Sequence, residues 1–325
     1  MRRVLIIDAL NAFLRAYIVD PSLSRHGDPI GGIKGFLKIL QRHVRELNPD
    51  QIVVAWDGAG GSKRRKAADK NYKSGRTPVR LNRAVRSLTD DEEMRNKVWQ
   101  QVRLQEYLAQ MPIIQLGLEG IEADDVIAYI CQMKHYRGCQ KIIISNDKDF
   151  MQLCDDSTVL YRPTSDEFLN VPRIVETLGI HPTNMALARA IAGDTSDNLK
   201  GIAGVGLKTI KKRLPFLAES KTYTIDDVIK HCENIDSGLK IYSSIAEGKG
   251  VVEHNYQMMQ LYSPAISVRS KAVVDHQIEN YECYFSKTDI LKMMVEDGFS
   301  ELNWEALKQS LTRISVTCFE KKRDK

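Results

Sequence analysis

The chain has 325 residues, 43% of them hydrophobic and 27% charged, and its 47 basic and 42 acidic residues give a net charge of +5. That length can bury one large core and a smaller one. No apolar run approaches the roughly 20 residues that span a bilayer, and the run after Met1-Arg2-Arg3 is short and closes on Asp8, so a membrane span and a signal peptide are excluded and the cytoplasm is expected.

In chain order, Val4–Ile7 is β-branched and apolar and reads as a buried strand. Ile33, Phe36, Leu37, Leu40 and Val44 recur at helical spacing, so a helix is predicted to Leu47. Ile52–Trp56 is a second strand, followed by Asp57-Gly58. From Lys63 to Arg86, ten basic residues face Asp69 alone, a local charge of +9, with Gly75, Thr77 and Pro78 interrupting the run. Thr89–Met111 reads as a helix, because Asp90-Asp91-Glu92-Glu93 suits a helix N-terminus and Pro112 stops it. Ile113–Leu116 is a third strand and Asp124–Met133 a helix. Lys141–Ser145 is a fourth strand ahead of Asn146-Asp147, and Val159–Tyr161 a fifth.

Strands alternating with helices imply an α/β layered fold on a mostly parallel sheet. After about Val171 the pattern turns helical, over Pro172–Leu178, Met185–Ala192, Thr209–Leu217 and Ile225–Ile229. The last 60 or so residues read as more helices with some extended segments. Six cysteines (Cys131, Cys139, Cys154, Cys232, Cys283 and Cys318) form no Cys-x-x-Cys pair and stand near no His cluster, which argues against zinc and disulfides.

The acids fall where chemistry would need them. Asp8 ends strand one and Asp57 strand two; Glu122, Asp124 and Asp125 open the helix after strand three; Asp147 and Asp149 follow strand four. Parallel strands deliver their C-termini to one edge, so these acids should converge on one crevice. Asp194 and Asp197 can join from the helical part. Two such charges about 4 Å apart repel by roughly 1–4 kcal/mol. Hard divalent cations remove that cost, and a pair of magnesium ions can activate water and stabilise a leaving oxygen. One Asp at a strand end is ordinarily a turn former, but four successive strands sending acids to one edge is a metal-site pattern. Asp125 and Asp197 are the peripheral members.

Three segments occur in a telling order: Glu122-Ala123-Asp124-Asp125, Ser145-Asn146-Asp147-Lys148-Asp149-Phe150 and Gly193-Asp194-Thr195-Ser196-Asp197-Asn198. Gly201-Ile202-Ala203-Gly204-Val205-Gly206-Leu207-Lys208-Thr209 follows. Together they resemble the 5′-nuclease family of flap endonucleases and 5′→3′ exonucleases, most of all its stand-alone phage exonuclease and ribonuclease H members. The likeness covers residues 1 to about 215.

It implies a PIN-like α/β nuclease core over 1–180 with a basic arch at about 62–103. It also implies a helix–hairpin–helix DNA-binding region over 181–260; for 261–325 the sequence names no role. One metal is implied near Asp8, Asp57, Glu122 and Asp124, and a second near Asp147, Asp149 and Asp194. Manganese is expected to substitute for magnesium. Tyr72-Lys73 and Arg76 look like the arch residues that reach the scissile phosphate.

The residues of the arm agree with that reading. Lys63, Arg64, Arg65, Lys66, Arg80 and Arg83 can neutralise phosphates without regard to sequence. Tyr72 can stack on a base, and Lys73 and Arg76 can stabilise charge on a transferred phosphate. Gly201–Thr209 is not a P-loop, since Leu207 separates Gly206 from Lys208 and a helix precedes it. Gly204 and Gly206 suit a tight turn, and Lys208, Thr209, Lys211 and Lys212 stand ready for phosphate. The resemblance implies potassium at this turn.

The expected substrate is DNA with 5′ ends or flaps, or RNA primers on DNA as an RNA–DNA hybrid, in replication or repair. The protein is expected to be a monomer, with replication proteins as partners. Two rival readings remain: a catalytically silent branched-DNA-binding protein, and a PIN-type ribonuclease.

Overall fold

A computed structural model describes residues 1–75, 80–82, 84–85, 88–299 and 303–323, with side chains in the last helix as far as Val316. Arg76 and Arg83 therefore lie outside the described residues. The first half builds one six-stranded sheet in the order β3-β2-β1-β4-β5-β6. Its strands are β1 (Arg3–Asp8), β2 (Gln51–Trp56), β3 (Ile114–Gly117), β4 (Gln140–Ile144), β5 (Thr158–Arg162) and β6 (Glu167–Leu169). The first five run parallel and β6 returns antiparallel to β5.

Alternation explains why the sheet is buried on both faces. Val4, Ile6, Val53, Ala55 and Ile143 point into one apolar cluster, while Leu5, Ile7, Ile52, Val54, Ile142 and Ile144 point into another. Each of these Val, Leu and Ile side chains contributes about 1.5–3 kcal/mol when fully buried. Central parallel strands therefore read as unbroken apolar runs rather than as alternating ones.

The second cluster receives α1 (Ala9–Val19), α2 (Gly31–Leu47) and, beyond the short α3 (Lys63–Ala68), α4 (Asp90–Ala109). Thr89 starts α4 with a reciprocal capping box to Glu92. The first cluster takes α5 (Ala123–Gln132) and runs on into α6 (Val171–Leu178), α7 (Pro182–Ala192), α8 (Leu207–Arg213) and α9 (Ile225–Asn234). It continues through α10 (Lys240–Glu247), α11 (Lys249–Met259) and α12 (Val268–Glu279). The last two helices, α13 (Lys287–Glu296) and α14 (Trp304–Arg323), cross back to the second cluster through Ile290, Met294, Trp304, Leu307 and Leu311. Arg103 and Tyr107 of α4 both bond Asp297, at 2.8 and 2.7 Å, which ties this tail to α4.

Three expectations change. The helix predicted over Thr209–Leu217 is α8, which stops at Arg213, because Leu214 precedes Pro215 and that position disfavours helical backbone. A 3₁₀ turn, Pro215–Ala218, follows. Helix α1 has no counterpart among the predicted elements, since Asp8 ends β1 and caps α1 at once, leaving no loop to mark a boundary. No strand occurs after residue 261 among the described residues, where extended segments were expected. Among the described residues no helix is long and apolar enough to cross a membrane.

Candidate active site

The C-terminal edge of the sheet holds a cleft of about 170 Å³ lined by Asp8, Asp57, Asp124, Asp147, Asp149, Asp194 and Asp197, with Lys73 reaching in. Each acid is fixed by the way its strand ends. Asp8 accepts from the Asn11 amide at 3.2 Å and from Ser145 Oγ at 2.9 Å. Asp57 accepts from the Ala123 amide at 2.8 Å, so the exit of β2 is tied to the start of α5. That tie needs Gly58, where an added Cβ would stand 1.6 Å from the Leu118 carbonyl oxygen. Asp147 caps the 3₁₀ segment Lys148–Leu153 by accepting from the Asp149 amide at 2.9 Å.

Asp194 arrives from a two-residue hairpin, Gly193–Asp194 against Leu199–Lys200. Gly193 has φ +76°, and an added Cβ would meet the Gly201 amide nitrogen at 2.2 Å, so only glycine lets the end of α7 turn this sharply. Asp194 accepts from the Ser196 amide and hydroxyl at 2.7 and 2.6 Å.

Burial sets the electrostatics. It pushes the Asp8 carboxyl up to about 7, with Asp57 and Asp147 adding repulsion. Asp124 is raised well above the ordinary carboxylate range by burial and then by Asp147. Burial also lifts Asp149 to about 7 although Arg189 works against it. These acids carry more negative charge than the protein's own cations offset. All-oxygen donors short of counter-charge fit a hard divalent cation and not a soft one. Among the described residues no three of the acids already close on one point, so a cation would have to draw them in.

Two protein cations supply part of the missing charge. Arg189 of α7 places Nε 2.5 Å from Asp149 and pairs with Asp194 through its other arm. Lys73 Nζ stands 2.8 Å from Glu122 Oε1. Burial by itself would raise Glu122, but Lys73 and Arg65 outweigh it and hold its pKa below the ordinary value. Burial likewise disfavours the Lys73 ammonium, and Glu122 outweighs it, so Lys73 stays charged.

Several predicted residues sit differently from the expectation. Neither Glu122 nor Asp125 lines the cleft: Glu122 is held by Lys73 and Arg65, and Asp125 pairs with Arg65 at 3.1 Å and accepts from the Ala265 amide at 2.8 Å. Arg65, expected on phosphate, turns inward to Glu122 and Asp125 and donates to the Met258 carbonyl at 3.0 Å. Two buried acids leave it no better partner. Tyr72 offers no open face for a base: it is 3% exposed, packs with Leu199, Met258 and Met259, and directs its hydroxyl at Glu122 from 3.4 Å.

Lys63, Arg64 and Lys66 are exposed, and Arg80 is exposed but paired with Asp90 and Glu93. Around the glycine turn Gly204, Gly206, Lys208, Lys211 and Lys212 are exposed and Thr209 is half-buried. Lys211 Nζ donates to the Glu176 and Thr177 carbonyls at the end of α6. Arg189 escaped the sequence reading. Its signal is a lone cation in an apolar helix that runs straight into Gly193-Asp194.

The sequence and the fold match a known group. Residues 3–179 fit the family model of the 5′-3′ exonuclease N-terminal resolvase-like domain. The chain belongs to the 5′-3′ exonuclease family. It is a nuclease of the 5′→3′ exonuclease class. A 5′-3′ exonuclease of Aquifex aeolicus is 26% identical over 97% of this chain and 96% of its own length. The DNA polymerase I of Thermus aquaticus is 31% identical over 65% of this chain, which spans 24% of that longer protein. Among solved structures, the bacteriophage T5 flap endonuclease in a product complex with DNA and metal ions aligns at a TM-score of 0.63, with 16% identity, over 96% of this chain and 99% of that one. The catalytic core of Rad2 with DNA substrate aligns at 0.51, with 15% identity, over 96% and 91%. These two likenesses establish the fold.

Proposed function

We propose that this member of the 5′-3′ exonuclease family is a structure-specific nuclease that hydrolyses phosphodiesters at 5′ flaps, 5′-ended duplexes or RNA primers on DNA, using divalent metal. The observation that carries the reading is the single cleft in which seven aspartates from distant parts of the sequence meet beneath Lys73. Metal-ion and DNA complexes of the T5 flap endonuclease support it. So does the donor chemistry: carboxylates whose burial leaves them short of positive charge.

Asp8, Asp57, Glu122 and Asp124 are the candidates to hold one magnesium ion, and Asp147, Asp149 and Asp194 a second, with manganese as a substitute. Bound there, the ions would supply an activated water and charge stabilisation for the leaving oxygen. The chain's own groups do the rest. Asp197 lines the same cleft as a supporting acid. Lys73, released from Glu122, presents a desolvated ammonium to the transferred phosphate, where it is worth more than in water. Arg189 holds Asp149 and Asp194 in place until they are needed elsewhere. The exposed Lys63, Arg64 and Lys66 guide a single strand, and Gly204, Gly206, Lys208, Thr209 and Lys212 contact duplex phosphates with potassium at that turn.

In domain terms, 1–180 forms the nuclease core and 181–260 the DNA-binding region. Residues 261–325 serve as a brace, through Asp297, on α4 at the foot of the arch. The protein acts as a monomer in the cytoplasm, alongside replication proteins.

The decisive experiment is Asp147→Asn assayed on a 5′-flap substrate in magnesium. Cleavage should fall by about 10³-fold or more, the scale of losing an essential metal ligand or donor. Undiminished cleavage would remove Asp147 from the metal site. Running 5′-flap DNA, single-stranded RNA and an RNA–DNA hybrid side by side, with an EDTA control, separates this reading from a silent binding protein and from a PIN-type ribonuclease.

A further inference from the structure

The turn that carries Lys73 is fastened to the loop that carries Asp194 and Asp197, and the fastener is a residue with no role so far. Asn198 Nδ2 donates to the Asn71 carbonyl at 3.1 Å and to the Ser74 carbonyl at 2.5 Å, and it lies 3.1 Å from Ser74 Oγ. Beside it, the Lys73 amide donates to the Asp197 carbonyl at 3.1 Å. Tyr72, one residue before Lys73, packs on Leu199, one residue after Asn198.

Both sides of this joint use unusual backbone. Lys73 has φ 55° and Asn198 φ 59°. Asparagine visits the left-handed region readily, but a lysine there is uncommon. Such conformations persist only when their surroundings over-determine them. Tyr72 is anchored by its packing and the Lys73 ammonium by Glu122, but the backbone on either side of Lys73 has little else to hold its bend. Asn71, Ser74 and Gly75 are exposed, and a Cβ added to Gly75 would find nothing within 4 Å. The Asn198 amide binds carbonyls on both sides of Lys73 and so spans the bend that aims its side chain.

We propose that Asn198 is a positioning residue for Lys73. It clamps the Asp69–Gly75 turn to the Asp194–Asn198 loop, so that the ammonium and the second group of acids are set by one joint. The inference rests on the proposed role of Lys73. It adds that a residue without contact to the reacting atoms governs that role from 125 positions further along the chain.

Asn198→Gly tests it in the full-length protein, because glycine keeps the left-handed backbone and removes only the amide. Asn198→Asp, isosteric but presenting a carboxylate that the Asn71 and Ser74 carbonyls repel, gives a second reading by exchange if glycine loosens the fold. Without substrate or metal, hydrogen exchange of the peptide holding the Lys73 amide should quicken by about fivefold, the worth of one net hydrogen bond, while other segments and the melting temperature hold steady.

On a 5′-flap substrate the single-turnover rate should fall by roughly ten- to a hundredfold, the scale of a misplaced group, with affinity little changed. In a Lys73→Ala background the same change should add no further loss, because both act through one group. Unchanged exchange overturns the joint. Full additivity with Lys73→Ala overturns its action through Lys73. If Lys73→Ala by itself proves harmless, the role given to Lys73 fails, and exchange then decides the joint separately.

Discussion

The protein carries two basic segments, and they are built in opposite ways. In the arm that begins at Lys63, the cations nearest the cleft are turned inward: Arg65 and Lys73 have side chains only 12% and 20% exposed and both pair with Glu122. Around the glycine turn, Lys208 and Lys212 are exposed. Composition alone makes the two segments look alike. The difference teaches that a cation's role follows from what faces it. A desolvated ammonium beside buried acids can act on charge at one point, whereas an exposed one exchanges counter-ions with a polyanion at many.

Breaking the inward arm should have the largest effect. Arg65→Ala leaves Asp125 buried without its cation and Glu122 with Lys73 alone, and removing one partner of a buried pair costs about 3–5 kcal/mol. Thermal unfolding without metal measures it; an unchanged melting point means that Arg65 does not turn inward in solution.

The next effect concerns pH. Asp8 and Asp149 have carboxyls lifted to about 7 in the folded protein, from an ordinary value of 3.8. Between those values the folded state holds more protons than the unfolded chain, so stability of the metal-free protein falls as pH rises from about 4 to 7. Asp8 contributes on the order of 4 kcal/mol to that fall. Denaturant titration at pH 5 and pH 8 checks the sign, and added divalent cation should recover most of the loss at pH 8. Stability rising across this window would show that the acids are already compensated.

Lys73→Ala should slow single-turnover cleavage by about 10²-fold with little change in affinity. An equal loss in binding would make Lys73 resemble the exposed lysines and erase the contrast. Smallest of all, Lys212→Ala should weaken DNA binding only a few-fold and reduce the salt dependence by about one phosphate contact. Its stability should shift by less than about 0.5 kcal/mol. A large rate effect from Lys212 would place it at the chemistry.

Much of the fold could be read before the structure was known, for local reasons. Strands β1, β2 and β4 are apolar on both faces because parallel strands are covered on both sides, and a carboxylate follows each apolar run within three residues. Asp8, Asp57 and Asp147 mark those ends so sharply that their meeting followed from topology. Reading failed where one residue served two elements, as Asp8 does for β1 and α1. It failed again where a side chain's partner is distant in sequence. Arg189 and Asp149 lie 40 positions apart, and no local signal couples them.

By itself the sequence determined the parallel sheet, the edge to which its acids run and the two stretches of positive charge. Those follow from periodicity, chirality and composition, which act over a few residues. Only the tertiary structure decided that Arg65, Lys73 and Tyr72 turn toward Glu122, that Asp125 stays out of the cleft and that Asn198 holds the arm. Orientation of a charged side chain depends on the desolvation and counter-charge offered by groups far along the chain, and those exist only once the chain has folded.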